Sequence, residues 1–281
     1  MASRDRAWGA AALTVRLGGR VVLDRVTVDI PRGEITAVVG GDGAGKTSLL
    51  GALAGRIPIA SGTVTMPAKD EIGFQPSTAG VWRDLTVDEN IEFVGSAYRM
   101  SPDLLGDRKA RLLGPAGLGG VGDRLGGQLS GGMRHKLGFC MAMLHRPLVL
   151  LLDEPSTGVD PVSRVELWRM VAEAAAAGTA VLMSTTYLDE AERAHRVLVL
   201  DGGEILGLGT PDEMIASIPG TISTERNRPL GEAANRTWRR GSMFRVWSPS
   251  GRGRCDEHTD LEDAVIALML ARNEQRNSEH V

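Results

Sequence analysis

The sequence predicts an α/β protein whose core is a parallel sheet. Two short apolar runs, at residues 34–39 and 148–152, have the length and composition of buried parallel strands. The first run leads into a glycine-rich segment and the second ends in two adjacent acids. A carboxylate at the end of a parallel strand lies on the rim where α/β sheets bind ligands. The runs therefore predict the sheet and the edge that carries its site.

The glycine-rich segment predicts a phosphate-binding loop followed by a helix over residues 46–53. Glycines let a backbone approach a phosphate closely, and the amides of a helix N-terminus attract an anion. Gly40, four residues, then Gly45-Lys46-Thr47 is the spacing in which the lysine reaches the β/γ-phosphates and the hydroxyl ligates Mg²⁺. The alternative is a glycine-rich turn that only packs. The predicted nucleotide-binding residues are Gly40, Gly41, Asp42, Gly43, Ala44, Gly45, Lys46, Thr47 and Ser48.

The acidic pair Asp153-Glu154 ends the second strand and predicts the metal-binding and catalytic carboxylates. Asp153 is placed to hold Mg²⁺, usually through water, and Glu154 to polarise the attacking water. The alternative is a pair of solvated acids that cap a core strand. Pro155 ends the strand and a structured turn follows at residues 156–160, which weakens that alternative.

A third motif predicts an anion site that has no lysine of its own. Ser130 is a good N-cap, and two glycines after it leave backbone amides unobstructed at the start of a helix that extends to Leu144. Such a site makes chemical sense if it covers the γ-phosphate of a nucleotide held by another molecule. The residues of this motif are Leu129, Ser130, Gly131, Gly132 and Met133.

With these three motifs in this order and spacing, the chain resembles the ATP-binding cassette (ABC) ATPases over roughly residues 13–212. The resemblance implies a P-loop NTPase fold: a RecA-like parallel sheet, a small antiparallel β subdomain and an α-helical signature subdomain. It implies ATP and Mg²⁺ as cofactors, and head-to-tail pairing with a second cassette, identical or different. In such a pair Ser130 and Gly132 act on the partner's nucleotide, and Asp160 couples the two sites.

Three positions depart from the family pattern. Leu17 stands where an aromatic residue stacks on adenine, Ser77 where a glutamine senses Mg²⁺ and water, and Thr186 where a histidine contacts the γ-phosphate. Losing one preorganised charged donor commonly costs ~100-fold in rate. We therefore expect a cassette that binds ATP and hydrolyses it slowly. The alternative is local compensation, in which Gln75, two residues early, reaches the place of Ser77.

The resemblance also implies a role in membrane transport. Residues 187–192 and 80–95 resemble the cassettes of drug, lipid or polysaccharide exporters, whose partners are integral membrane permease subunits. The helix predicted at residues 87–98 and the loop before it lie where that family docks its permease, with Val81 and Trp82 as apolar contacts or as core residues. The alternative is a soluble regulatory or ribosome-associated ATPase that uses the same clamp.

Composition predicts a cytoplasmic protein, and the resemblance implies that it is peripheral on the inner face of the cell membrane. The chain has 281 residues and a net charge of −3, which argues against bulk binding to nucleic acid. Its apolar stretches are shorter than the ~20 residues of a membrane helix. Cys140 and Cys255 lack metal-type spacing.

The chain divides into an ABC ATPase domain at residues 11–232, with a helical subdomain at about 77–144, and a small extension at residues 233–281. Residues 221–260 carry scattered arginines with Trp238 and Trp247, and we expect a β-structured tail there rather than a nucleic-acid surface. An amphipathic helix is expected at residues 261–272, with frayed residues after it.

Overall fold

A computed structural model describes residues 8–249 and 259–279 of the chain. Its core is a six-stranded sheet in the order β5-β6-β7-β3-β8-β9, in which every neighbouring pair is parallel except β8 and β9. Strands β3, β6 and β7 at the centre of the sheet are buried along their whole length, as their continuous apolar sequences predict, whereas the edge strand β9 is mostly half-buried. They are β3 (Ile35–Val39), β5 (Ile72–Gln75), β6 (Val149–Asp153), β7 (Ala180–Ser184), β8 (Arg196–Asp201) and β9 (Glu204–Gly209).

A second, antiparallel sheet packs on the core through the first helix. Its order is β2-β1-β4, and Leu13, Val15 and Leu23 from its inner face are fully buried. These side chains join Leu49 and Leu50 in one apolar cluster. The predicted antiparallel subdomain is therefore confirmed. The elements are β1 (Trp8–Leu17), β2 (Arg20–Ile30), β4 (Ser61–Thr65) and α1 (Lys46–Leu53).

The helices begin where the sequence places their caps. The Thr86 hydroxyl accepts from Glu89 N–H and the Glu89 carboxylate accepts from Thr86 N–H, so the two residues form a capping box. The three helices of the insertion between β5 and β6 bury Ile91, Leu113 and Leu137, one from each, against the main core. The helices are α2 (Val87–Ala97), α3 (Pro102–Leu113), α4 (Gly131–Met143), α5 (Pro161–Ala176), α6 (Leu188–Ala191), α7 (Pro211–Ala216) and α8 (Leu261–Glu279).

A third, small sheet packs against α8 at the end of the chain. Its order is β10-β12-β11, with strands Thr221–Glu225, Met243–Ser248 and Thr237–Arg240 respectively. The boundary expected at residue 232 would separate β10 from the other two strands of this sheet. The structure joins them, because Ile222 of β10 pairs with Trp247 and packs with it in one apolar cluster. Strand Thr221–Glu225 therefore belongs to the same sheet as the two strands that follow it.

In the described part of this unit both tryptophans and three arginines contact α8, which fits the expected β-structured tail; the arginines are Arg236, Arg240 and Arg245. Trp247 is buried, and Trp238 donates from Nε1 to Asp263 Oδ1 at 3.0 Å. Arg245 and Asp263 form a buried ion pair, with Nε and Oδ2 3.5 Å apart. Ion pairs with α8 thus occupy side chains that a nucleic-acid surface would present.

The expectation of frayed residues after 272 is wrong for the described part of the segment, because α8 continues to Glu279. Two ion pairs hold it: Arg236 with Glu274, and Arg276 with Asp201. Residues 280 and 281, and Cys255, lie outside the described residues. Within residues 8–249 and 259–279 no helix combines the length and apolarity needed to cross a bilayer.

Candidate functional site

The loop between β3 and α1 forms a cavity of about 320 Å³ that is shaped by backbone rather than by side chains. Gly43 and Gly45 have φ angles of 77° and 106°, in the left-handed region that favours glycine. A Cβ on Gly45 would lie 2.9 Å from the backbone oxygen of Val22, so a larger residue would force the backbone to shift. The cavity is lined by Val22, Asp42, Gly43, Ala44, Gly45, Lys46, Thr47, Ser48 and Glu154.

Lys46 is the one cation among the residues that line this cavity, and it is 5% exposed. Its Nζ donates to Gly40 O at 2.9 Å and to Gly41 O at 3.2 Å. The same Nζ lies 3.4 Å from Glu154 Oε1. The two glycines expected to bind nucleotide thus orient the lysine, and residues 42–48 form the cradle itself.

The acids at the end of β6 lie beside this cradle. Asp153 is buried, and its Oδ1 accepts from Thr47 Oγ1 at 3.2 Å and from Ser184 Oγ at 2.8 Å. The Ser184 hydroxyl in turn accepts from Glu154 N–H at 2.9 Å. Glu154 has a φ of 46°, which is uncommon for a residue with a side chain, and this bond helps to hold it there.

The sequence analysis missed Ser184, although a signal for it existed. Ser184 ends β7, which pairs in parallel with β6 so that Asp153 stands directly opposite Ser184. Polar residues at the carboxyl ends of adjacent parallel strands meet at one edge. Val22 was not predicted either, because its position against the phosphate loop depends on the packing of the antiparallel sheet.

The oxygen donors at this edge fit a magnesium ion. Mg²⁺ prefers oxygen ligands and is held by one or two protein groups together with waters and phosphate oxygens. Thr47 Oγ1 and Asp153 Oδ1 supply two such oxygens at hydrogen-bonding distance from each other. The site suits a nucleoside triphosphate, because it combines a backbone cradle for phosphate with one lysine and this oxygen pair.

The signature motif does not line the phosphate cavity of its own chain. Ser130 Oγ accepts from Met133 N–H at 3.2 Å, so the predicted N-cap of α4 is present. A Cβ on Gly132 would lie 2.5 Å from Ser163 Oγ, so this glycine lets α4 pack closely on α5. None of Leu129, Ser130, Gly131, Gly132 and Met133 is among the residues lining that cavity.

Asp160 is the N-cap of α5 and lies beside the signature motif. Its carboxylate accepts from Ser163 N–H at 3.0 Å, and this bond lowers the pKa of Asp160. The same carboxylate would lie 3.2 Å from a Cβ on Gly132. The turn at residues 154–160 runs from the end of β6 to Asp160, so it connects that strand end with the start of α4.

The three departures from the family pattern are exposed. Leu17 ends β1 with 42% exposure, Ser77 lies in the turn after β5, and Thr186 follows β7. Gln75, by contrast, is fully buried and donates from Nε2 to His135 O at 3.1 Å. That bond fastens Gln75 to α4, which opposes the alternative in which it takes the place of Ser77.

A buried carboxylate that the sequence analysis did not single out lies behind Thr186. Glu190 is 3% exposed and accepts from Ser156 Oγ at 2.9 Å and from Thr185 Oγ1 at 2.7 Å. Arg164 donates from Nε to its other oxygen at 3.2 Å. The segment after Glu154 and the end of β7 are therefore tied to one charge.

An apolar groove of about 310 Å³ opens between the core and the helical subdomain. Trp82 and Phe93 at its rim are 44% and 53% exposed, with ring centroids 4.5 Å apart. Val81 packs against the main core, whereas Trp82 is exposed at the rim of the groove.

Buried Asn90 holds the loop that carries Trp82. Its Oδ1 accepts from Trp82 N–H at 2.9 Å. Its Nδ2 donates to the carbonyls of Trp82, Leu85 and Thr86 at 3.0, 3.2 and 2.8 Å. The exposed tryptophan is therefore mounted on a fixed turn.

Comparison with known proteins gives a consistent result. The sequence profile of the ABC transporter family matches residues 23–157. The probable multidrug ABC transporter ATP-binding protein YbhF of Escherichia coli is 41% identical over 220 residues, covering 73% of this chain and 38% of that protein. The daunorubicin/doxorubicin resistance ATP-binding protein DrrA of Streptomyces peucetius is 33% identical, covering 77% and 69%.

Solved structures agree with these sequence relatives. A structure of the ATP binding subunit of an ABC transporter superposes with a TM-score of 0.69 at 26% identity, covering 75% of this chain and 92% of that one. The chain spans 38% of the length of the Escherichia coli relative and about two thirds of the Streptomyces one. Its motifs, its fold and these relatives place the chain in the ABC transporter family, among the ATP-binding proteins.

Proposed function

We propose that the chain is the ATP-binding and ATP-hydrolysing subunit of an ABC exporter, and that it works as one of two cassettes closed on ATP. The observation that carries the proposal is the joining of the cradle at residues 42–48 to the carboxylates of Asp153 and Glu154 at one sheet edge. The relatives, whose names refer to multidrug and daunorubicin/doxorubicin resistance, support export as the work that ATP drives.

The cradle binds the phosphates of ATP through backbone amides and through Lys46. Thr47 and Asp153 would hold Mg²⁺, which when bound neutralises charge on the β- and γ-phosphates. Asp153 keeps its orientation because Ser184 and Thr47 both donate to it. Glu154 orients or deprotonates the attacking water, and its backbone is fixed by Ser184 Oγ.

The signature helix serves the nucleotide of a second cassette. Ser130 and the amides at the start of α4 form an anion site that lies outside the chain's own phosphate cavity. Asp160, between this helix and the turn after Glu154, couples the two sites. ATP thus closes the pair, and its hydrolysis reopens the pair.

Hydrolysis is slow in this site. Thr186 offers one hydroxyl where a charged donor is expected, and Ser77 cannot reach as far as a glutamine. Gln75 donates to His135 O and so does not take the place of the missing glutamine at position 77. Electrostatic stabilisation of a developing charge depends on preorganised donors, so their loss lowers the rate more than it lowers binding.

The rim of Trp82 and Phe93 is the docking surface for an integral membrane permease. Exposed aromatic residues in a groove are the usual anchors of protein interfaces. Docking there keeps the chain on the inner face of the membrane, as the family resemblance implies. A ribosome-associated role has no support from the relatives, and recovery of the chain with ribosomes and no membrane protein would favour it.

Complementation tests the pairing of cassettes directly. A Lys46→Ala copy lacks a working loop but offers an intact signature helix, and a Ser130→Arg copy has the opposite defect. We expect each alone to hydrolyse almost no ATP, and their mixture to regain about a quarter of the wild-type rate by random pairing. Mixing two batches of one variant is the control. No recovery in the mixture would overturn the proposed action of Ser130 across the pair.

A further inference from the structure

Helix α8 of the C-terminal unit returns to the core and brackets one hairpin. Arg272 pairs with Glu204, and Arg276 Nη1 lies 3.1 Å from Asp201 Oδ2. The two arginines are four residues apart and so lie on one face of α8. The two acids flank the hairpin tip between β8 and β9. The helix thus holds both sides of a two-residue turn.

The tip of this hairpin touches the phosphate loop. Gly203 N–H donates to Ala44 O at 3.1 Å, and Gly203 O accepts from Asp24 N–H at 2.9 Å. A Cβ on Gly203 would lie 2.6 Å from Val22 O, so the tip fits closely against β2. Val22 and Ala44 both line the phosphate cavity.

The bond to Ala44 O bears on an amide that faces the phosphate. The Ala44 carbonyl and the Gly45 N–H belong to one trans peptide plane, in which the two groups point in opposite directions. Holding the carbonyl on Gly203 therefore turns the Gly45 N–H away from the hairpin and into the cradle. Within the described residues no backbone carbonyl accepts from Gly45 N–H, so this amide is available to an anion.

We propose that Arg272 and Arg276 are positioning residues for nucleotide binding, which act through the hairpin tip on the Ala44–Gly45 peptide. The C-terminal unit then sets the ATP affinity of a site to which it contributes no lining residue. Apolar packing supports the same contact, because Leu268 of α8 and Leu206 of β9 join the main core cluster. This inference rests on the proposed binding of ATP.

Binding of trinitrophenyl-ATP with Mg²⁺ to the full chain tests it. In the Arg272→Ala/Arg276→Ala variant we expect Kd to rise about three- to tenfold, since each partly exposed pair contributes modestly. Arg236→Ala is the matched control. This change removes the ion pair between Arg236 and Glu274 of α8. The exposure of that pair is similar to that of the two tested pairs, and it does not touch the hairpin. Its Kd should equal that of the wild type.

A charge exchange separates positioning from general stability. Asp201→Arg combined with Arg276→Asp restores the pair in reverse, and its Kd should return to within about twofold of the wild type. Should the Arg272→Ala/Arg276→Ala variant fail to fold, Arg276→Ala alone should give a smaller rise in the Kd for trinitrophenyl-ATP. An unchanged Kd in the folded arginine variants, or an equal rise in Arg236→Ala, overturns the inference. Absence of binding by the wild type would instead overturn the proposed function.

Discussion

Lys46 Nζ lies 3.4 Å from Glu154 Oε1, so the lysine expected to hold phosphate faces the carboxylate expected to activate water. Lys46 is 5% exposed, and its only other described partners are the carbonyls of Gly40 and Gly41. Because a buried cation gains most from a full negative charge, phosphate and Glu154 compete for the same ammonium group. We therefore expect ATP binding to be linked to the readiness of Glu154 as the proposed catalytic base.

Glu154→Gln should tighten ATP binding while it stops hydrolysis. The amide keeps the shape of the side chain but withdraws the charge that competes for Lys46, and it cannot accept a proton. We expect kcat to fall about 10²- to 10⁴-fold and an ATP-loaded dimer to persist in size-exclusion chromatography. Glu192→Gln, at an exposed acid, is the control. A variant with unchanged hydrolysis and unchanged dimer lifetime would remove Glu154 from the mechanism.

Thr186→His should raise the steady-state ATPase rate. The histidine restores a charged donor at the exposed end of β7, where the threonine offers only a hydroxyl. We expect a gain of about 10- to 100-fold, measured as phosphate release at saturating Mg-ATP. Thr186→Ser, which adds no charge, should leave the rate at the wild-type value. No gain with histidine would count heavily against the explanation of slow hydrolysis.

Most of the fold and the phosphate-binding half of the site could be predicted from the sequence. The glycine spacing fixes the loop, and the apolar run before Asp153 fixes its strand, because both signals are local. Ser184 and Glu190 were not found, because their roles depend on which strands lie side by side. The pairing of β10 with β12 was not foreseen for the same reason, because strand pairing across a sequence separation leaves no local signal.

Asn90→Ala should destabilise the protein and loosen the loop that carries Trp82. The side chain makes four hydrogen bonds from a fully buried position, and truncation leaves the Trp82 N–H without its acceptor. We expect the free energy of unfolding to fall by about 2–3 kcal/mol, measured by urea denaturation. Glu92→Ala, at an exposed position of the same helix, should change it little. Equal unfolding midpoints for the two variants would contradict this.

His145 should make the protein less stable in mild acid. Burial is the main reason that the pKa of His145 is lowered from 6.5 to about 4. The His145 ring stacks on Tyr98, with the ring centroids 3.8 Å apart. The unfolded chain therefore takes up the proton at higher pH than the folded one, and the free energy of unfolding falls as the pH drops from 6.5 towards 4. Allowing for the partial exposure of the ring, the fall is about 1–2 kcal/mol.

His145→Phe keeps the stacked ring but has no proton to bind. Its unfolding free energy, measured by urea denaturation at pH 7 and pH 4.5, should fall by about 1–2 kcal/mol less than that of the wild type. Parallel pH dependence in the two proteins would show that other groups cause the loss.

The two acids that pair with Arg164 provide the sharpest test of what burial contributes. Glu190 is 3% exposed and also accepts from Ser156 and Thr185, whereas the side chain of Asp189 is 59% exposed and accepts from Arg164 at 3.1 Å. Glu190→Ala should cost about 3 kcal/mol of unfolding free energy, because it leaves two buried hydroxyls without their acceptor and removes the buried partner of the Arg164 Nε–H. Asp189→Ala should cost less than about 1 kcal/mol, because water replaces an exposed partner.

Since Glu190 ties the turn after Glu154 to the end of β7, its loss should also lower kcat more than Asp189→Ala does. Equal costs for the two variants would mean that Arg164, and not the buried carboxylate, organises this part of the site.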